Sequence, residues 1–323
     1  MQASSRLPIQ SGSMNTPPNP ALNSSRLARY LLLVATVAPI SATGADLKPE
    51  TAQQWEDYVK TADARNAEHL AHGNAFLFGD EVSGHAAKLR CGGIVVGPMG
   101  PHVPLKVQSG LIHDWTGAVF IPNTKLEDVL SVLRDYDRYK EFYRPNVVDS
   151  KRIGTTDSKD RFSTVVINKS VVAKTALDFD YEVSYVRVDD HRWYSIADAT
   201  RINEIAEYDT PSQHTLPENR GTGLIWRLHC IMRFEERDGG VYIEVEAIAL
   251  SRDIPAAFRW AVEPIVRRVS RSSVATSLQQ TKAAVRAHST TETVGISGRT
   301  DDPAMKRTSA PTPSTSSLVR PLR

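Results

Sequence analysis

Few side chains in this sequence stand in patterns that do chemistry. His69 and His72 are three apart and would share a face of a helix, a spacing that suits two metal ligands. No third ligand lies nearby, and exposed helix histidines explain the pair equally well. Cys91 and Cys230 are the two cysteines; they either pair in an oxidising compartment or stay free, and Cys230 fits an inward core position. His229 or Asp253 could serve as an acid or base only with a Tyr in a shared cavity, and strand alternation points His229 outward. Arg267, Arg268 and Arg271 form a small basic group, either a solvated helix face or a contact for an anionic membrane surface. Asn23-Ser24-Ser25 and Asn168-Lys169-Ser170 match glycosylation acceptors, a triplet common by chance. The sequence contains no Gly-x-Ser-x-Gly, Gly-x-x-x-x-Gly-Lys, Gly-x-Gly-x-x-Gly or His-Glu-x-x-His. These residues therefore nominate no catalytic group, metal or cofactor.

The segment Trp193–Ile205 is more informative. One parity carries Ser195, Ala197, Ala199 and Arg201; the other carries Tyr194, Ile196, Asp198, Thr200 and Ile202. If the small set faces inward, it leaves empty volume with a guanidinium at its end. A buried Arg needs an anion or several acceptors. The choices are a ligand carboxylate or phosphate, an ion pair with Asp198, Asp253 or Glu263, or an outward Arg.

The elements that must position these groups follow from periodicity. Pro49, Glu50 and Glu56 suit the start of a helix whose stripe is Trp55, Val59, Ala62 and Leu70. A Gly/Pro-rich stretch containing Cys91-Gly92-Gly93 and Gly97–Pro101 comes next. A strand spans Leu111 to Ile121. A helix then starts near Asn123 or Thr124, with Leu126, Val129, Leu130 and Leu133 on its buried side. Beyond it, Leu177, Phe179, Tyr181, Val183 and Tyr185 alternate with Asp178, Asp180, Glu182 and Ser184. Leu224, Trp226, Leu228, Cys230, Met232 and Phe234 alternate with Arg227, His229, Arg233 and Glu235. Asp238-Gly239-Gly240 signals a hairpin, followed by Val241, Ile243, Val245, Ala247 and Ala249 alternating with Glu244 and Glu246. Strands apolar on one face predict an antiparallel sheet covered on one side. The expected cover is a last helix starting near Pro264, with Ile265, Val269, Ser272, Thr276 and Gln279 or Gln280 near one face.

The chain has 323 residues, 41% hydrophobic and 24% charged, with formal charge +2, which is ordinary globular composition. That balance gives no electrostatic reason to expect nucleic acid. No Asp or Glu precedes Asp46, whereas Arg6, Arg26 and Arg29 do; an apolar run from Tyr30 to Ala38, Pro39 and small residues follow. This order predicts a secretory signal over residues 1–45, from Met1 or Met14, and a periplasmic or secreted protein. A transit peptide or an uncleaved anchor are the alternatives. Between His288 and Arg323, 17 of 36 residues are Ser, Thr or Pro, the composition of a disordered tail. Residues 46–110 then form a helical extension, and 111–287 the main domain.

Several runs carry a family resemblance. They are Phe120-Ile121-Pro122, Val129-Leu130 through Leu133-Arg134-Asp135-Tyr136-Asp137-Arg138-Tyr139, and Tyr143-Arg144-Pro145-Asn146-Val147-Val148. A second group comprises Trp226 to Phe234, Asp238 to Glu246 and Asp253-Ile254-Pro255. Across Leu111–Ala287 the sequence resembles the START-like, or SRPBCC, superfamily of polyketide-cyclase and coenzyme-Q-binding-type proteins. The resemblance implies an α+β helix-grip fold, an antiparallel β-sheet wrapped around a long C-terminal α-helix, here with an N-terminal helical extension. It also implies a cavity between sheet and helix for lipids, isoprenoids, polyketides or hormones. The superfamily includes carriers and some enzymes and has no universal catalytic motif, so no catalytic residue carries over. The expectation is an exported binding or carrier protein for a hydrophobic small molecule. The alternatives are a cyclase, dehydratase or hydrolase on the same scaffold, or an interaction module with a filled core. The expected lining is Tyr143 at one mouth, Ser195 and Ala197 for space, Arg201 for a polar head group, Trp226 as an aromatic wall, and Ile265 from the helix.

Overall fold

The alternating segments pair into one antiparallel sheet in a computed structural model that describes residues 45–71, 75–169 and 174–297. The predicted leader, His72, Ser170 and the tail from residue 298 lie outside the described residues. The strands are β1 (Ile94–Pro98), β2 (Leu105–Val107), β3 (Gly110–Pro122), β4 (Val147–Thr156), β5 (Lys159–Lys169), β6 (Lys174–Arg187), β7 (Arg192–Ala206), β8 (His214–Thr215), β9 (Arg227–Arg237) and β10 (Gly240–Arg252). Their spatial order is β1-β3-β10-β9-β7-β6-β5-β4, with β2 paired to β3 and β8 to β7. The helices are α1 (Pro49–Ala71), α2 (His85–Arg90), α3 (Leu126–Leu133), α4 (Tyr139–Phe142) and α5 (Arg259–Ser297).

Local chemistry explains the joints. Asp238 and Gly239 both have positive φ, as the tight β9–β10 turn requires. A Cβ on Gly240 would lie 2.3 Å from the Ile121 carbonyl, so the β3 partner passes too close for any side chain there. At the start of α3, Asp128 accepts a hydrogen bond from the Lys125 N–H at 3.1 Å. The helix begins at Leu126, slightly later than expected, and buries Leu126, Val129, Val132 and Leu133.

The long C-terminal helix crosses β3 at Gly117. A Cβ there would meet Val274 at 2.7 Å and Leu278 at 2.9 Å, so α5 rests on bare backbone. Val274, Leu278, Ala284 and Val285 join Trp115, Val119, Ile121, Val241 and Ile243 in the main core. Three expectations for this helix need correction. It starts at Arg259, so Pro264 lies inside it; the lost hydrogen bond falls next to the already unpaired first turn. It continues past His288 to Ser297. Its inward stripe is Val262, Val266, Ser270, Val274, Leu278, Thr281 and Val285, whereas Ile265, Val269, Ser272, Thr276 and Gln279 are exposed. The expected face was turned away from the true one, because the sparse apolar residues of this helix fit two neighbouring stripes.

The sheet is also covered on both sides, not one. Helix α1 lies over the face opposite α5, where Trp55 and Ala62 pack on Ile112, Ile248 and Leu250. Its polar side chains reach down as well. Tyr58 donates to Asp114 at 2.8 Å, Arg65 pairs with Glu246, and Asn66 accepts from Arg233 at 2.6 Å. Arg233, Glu244 and Glu246, charged positions that alternation put on the polar face, are buried together with Asp114, and the Phe78 and Gly79 amides donate to Glu244.

Candidate ligand-binding face

Burial on the two central strands is inverted with respect to polarity. On β10 the charged face, with Glu244, Glu246, Ile248 and Leu250, is buried, while Val245, Ala247 and Ala249 are half-exposed. On β9, His229, Ile231 and Arg233 are buried, while Leu228, Cys230 and Met232 are half-exposed. The half-open positions are the apolar ones, and they face α5. They continue onto β7 as Ala197 and Ala199, and onto β6 as Tyr181 and Tyr185. The helix covers the β1–β3–β10 side of this concave face and leaves the β6–β7–β9 side partly open.

The sequence-predicted lining is divided by this geometry. Ser195 and Ala197 do face α5, opposite Met232 and Cys230. Tyr143 joins them from the end of α4; its ring meets Tyr139 edge-on at 5.0 Å, and its hydroxyl lies 3.0 Å from Thr281 Oγ1 on α5. The other three do not belong. Arg201 points to the opposite face, because β7 carries a bulge. Tyr181 pairs with Ala199 but Asp180 pairs with Arg201, leaving Thr200 as an extra residue that reverses the parity beyond it. There Asp180 receives two hydrogen bonds from Arg201, at 2.7 and 3.0 Å, and Asp178 one at 3.0 Å. Trp226 is buried, but in the cluster beneath α1 with Trp55, Ile112, Ile248 and Leu250. It precedes the first paired residue of β9, so strand alternation does not reach it. Ile265 is 57% exposed on the outer side of α5.

What the sequence reading missed is the aromatic wall. Tyr136, Phe162, Tyr181 and Phe179 stack face to face at successive centroid distances of 4.3, 4.8 and 5.4 Å. The Tyr hydroxyls are occupied. Tyr139 donates to the Leu133 carbonyl at 2.6 Å, Tyr185 to the same carbonyl at 3.3 Å, and Tyr136 to Asp160 at 3.0 Å. The alternation of β6 placed Tyr181 and Tyr185 on one face; only the tertiary fold shows that this face stays partly open. Burial pushes the Cys230 thiol up to about 12 and the Tyr185 hydroxyl to about 12, and raises Tyr139 and Tyr181 well above the usual phenol range. Tyr139, Tyr181, Tyr185 and Cys230 each keep only part of their surface accessible. Cys91 is exposed elsewhere, and both cysteines are free.

Other candidate chemistry lies away from this face. His229 is on the α1 side, with Nδ1 2.7 Å from Asp198 and Nε2 3.2 Å from Asp63. Asp253 pairs with Lys106 at 3.3 Å and Arg259 at 3.4 Å near the start of α5. A small cleft of about 110 Å³ lies there, lined by Pro104, Lys106, Leu111, Ile254, Arg259 and Glu263. That is below the roughly 300–1,000 Å³ of a small-molecule site. His69 stacks on Phe78 at 4.0 Å, and no cluster of metal-ligating residues occurs among the described residues.

No family model matches the sequence, and no curated protein matches it significantly. Similar solved structures include a fragment of a STAR-related lipid transfer protein from Xanthomonas axonopodis, 15% identical over 56% of this chain and 96% of that one, with a TM-score of 0.37. Human STARD10 is 8% identical over 71% and 89%, with a TM-score of 0.39. The di-domain ARO/CYC StfQ from the steffimycin biosynthetic pathway is 14% identical over 55% and 52%, with a TM-score of 0.35. By its own strand order and the long C-terminal helix packed across β3, the chain has an α+β helix-grip fold.

Proposed function

We propose that this protein is an exported carrier that holds a hydrophobic small molecule, of lipid, isoprenoid or polyketide type, between the sheet and α5. One observation carries the reading: the apolar positions Leu228, Cys230, Met232, Val245, Ala247 and Ala249 are half-open, while His229, Arg233, Glu244 and Glu246 on the other face are sealed. Leaving apolar surface open costs about 25 cal/mol per Å², so a ligand that covers it is stabilised by the same amount. Native mass spectrometry of protein purified after periplasmic expression tests this. A co-purifying lipid-sized adduct is expected; bare protein that also binds no hydrophobic probe would refute it.

Export rests on the acid-free basic leader and its apolar run. The mature chain should begin near Ala45 or Asp46 and fractionate outside the cytoplasm. An intact N-terminus on cytoplasmic protein would exclude export.

Delivery of such a cargo calls for transient membrane contact, and the first half of α5 suits it. Phe258, Trp260, Ile265 and Val269 are exposed there, Trp260 to 77%, beside Arg268 and Arg271. Apolar and Trp side chains flanked by cations match the interface of an anionic bilayer. Co-sedimentation with phosphatidylglycerol vesicles should exceed that with phosphatidylcholine vesicles and fall with Trp260→Ala. The rival reading, an enzyme on this scaffold, needs an acid–base pair at the open face. His229 and Asp253 lie elsewhere, and Cys230 and the tyrosines are held protonated.

A further inference from the structure

We infer that the ligand of this face is uncharged, and that an ionised acid is rejected. The inference rests on the carrier reading and narrows it to a chemical class, such as an ester, alcohol or ketone. Every position facing α5 from Phe179 to Tyr185 on β6, Trp193 to Ala199 on β7, Leu228 to Phe234 on β9 and Val241 to Ala249 on β10 is uncharged. Of the cations on the surrounding elements, the arginines are matched by carboxylates, whereas Lys282 is turned toward the backbone just before β1. Arg201 is turned to the opposite face by the β7 bulge and neutralised by Asp178 and Asp180. Arg134 lies over the Tyr185 ring at 4.4 Å and 3.7 Å from Asp160. Lys282, on the inward side of α5, is buried and donates to the Gly92 carbonyl at 3.4 Å. Glu263 and Arg267 pair with each other.

A carboxylate entering this face would therefore lose its hydration and meet no charged side chain from β6, β7, β9 or β10 over these positions, a large penalty. The wall already exerts that penalty on its own groups: desolvation favours the neutral form of the Cys230 thiol and the Tyr139, Tyr181 and Tyr185 hydroxyls. A neutral polar group meets less resistance. Thr281 donates to the Ser277 carbonyl, so the Tyr143 hydroxyl donates to Thr281 and keeps a free lone pair to which an alcohol can donate.

The test is a fluorescence titration of the full-length protein with pyrenedodecanoic acid and its methyl ester at pH 8. The ester should bind at least about ten-fold more tightly, and the acid should approach the ester once the pH falls below the acid's own pKa. An acid that binds as tightly as the ester at pH 8 overturns the inference and leaves the carrier reading standing. If neither probe binds, the open face is not a hydrophobic site, and both readings fall together. Ala197→Lys places a cation on the wall and should reverse the preference toward the acid. If that variant does not fold, the acid-to-ester ratio of the unaltered protein still decides the matter.

Discussion

Arg233 has no exposed surface, and its guanidinium lies 4.3 Å above the Phe78 ring. It bonds Glu244 at 3.3 Å and Asn66 at 2.6 Å, with Glu246 4.0 Å away. Burial lowers its pKa against the attraction of Glu244 and Glu246, and burial raises that of Glu244 against Arg233 and the Phe78 and Gly79 amides. Both partners thus lean toward neutrality, so desolvation outweighs their mutual attraction. Such a pair adds little net stability but is costly to break singly. Arg233→Met should lose roughly 3–5 kcal/mol in urea unfolding, and Arg233→Met with Glu244→Gln should lose less than the single change. Trp226→Ala removes a buried side chain under α1 and should cost about 3–5 kcal/mol. Arg201→Ala, on a partly exposed ion pair, should cost no more than about 1 kcal/mol and leave ligand binding unchanged. A loss of binding there would contradict the outward placement that the β7 bulge imposes.

At the scale of elements, α1 and α5 hold the sheet by different physics. Helix α5 relies on close apolar contact. Gly117→Val would drive a side chain into Val274 and Leu278 and should destabilise by about 1–3 kcal/mol or more, read as a lower Tm. Helix α1 relies in part on charge. Burial disfavours the His229 imidazolium, but Asp198 and Asp63 outweigh it and hold its pKa at about 9. A folded pKa above the ordinary 6.5 adds stability that is complete below 6.5 and lost as pH rises through about 9. Burial and then Glu246 raise Asp114 to about 7, so its contribution also falls with rising pH, up to that value. His113, which burial lowers to about 4, works in the opposite sense below 6.5. The urea midpoint should therefore decline between pH 6.5 and 9, and His229→Gln should flatten that decline. Strands β3, β6, β7, β9 and β10, the β9–β10 turn and α1 were legible because their periodicity is strong, whereas β1, β2, β4, β5 and β8 were not read as strands. For the candidate lining, only the placement of residues can be compared. Ser195, Ala197 and Tyr143 follow from alternation and chain order. Arg201 does not, since a single bulged residue, Thr200, carries no sequence mark of its own. Nor did anything local reveal that Glu244, Glu246 and Arg233 are covered rather than in water; that depends on contacts with Arg65, Asn66, Phe78 and Gly79, between 165 and 181 positions earlier in the chain.

For the whole molecule, the asymmetry of α5 predicts uneven dynamics. Its first half, with Trp260, Ile265 and Val269 exposed, has little packing, whereas Val274, Leu278 and Val285 are in the core. Amides of residues 260–270 should exchange with solvent faster than those of 274–286 by hydrogen–deuterium exchange, and a bound hydrophobic ligand should slow the first group. Equal protection along the helix would mean that the first half is as firmly seated as the second.

The inverted burial of β9 and β10 also has an evolutionary corollary. These strands cohere on the α1 side through Ile231, Ile248, Leu250 and the buried charges, and on the α5 side through Phe234, Val241 and Ile243. The α5 side also holds small, half-exposed residues such as Ala197, Ala199, Ala247 and Ala249. Changing their size reshapes the recess without emptying a core. On the proposed carrier reading, descendants of this chain could exchange one cargo for another by altering a few alanines, because the residues that maintain folding and those that tune recognition are different positions on the same strands.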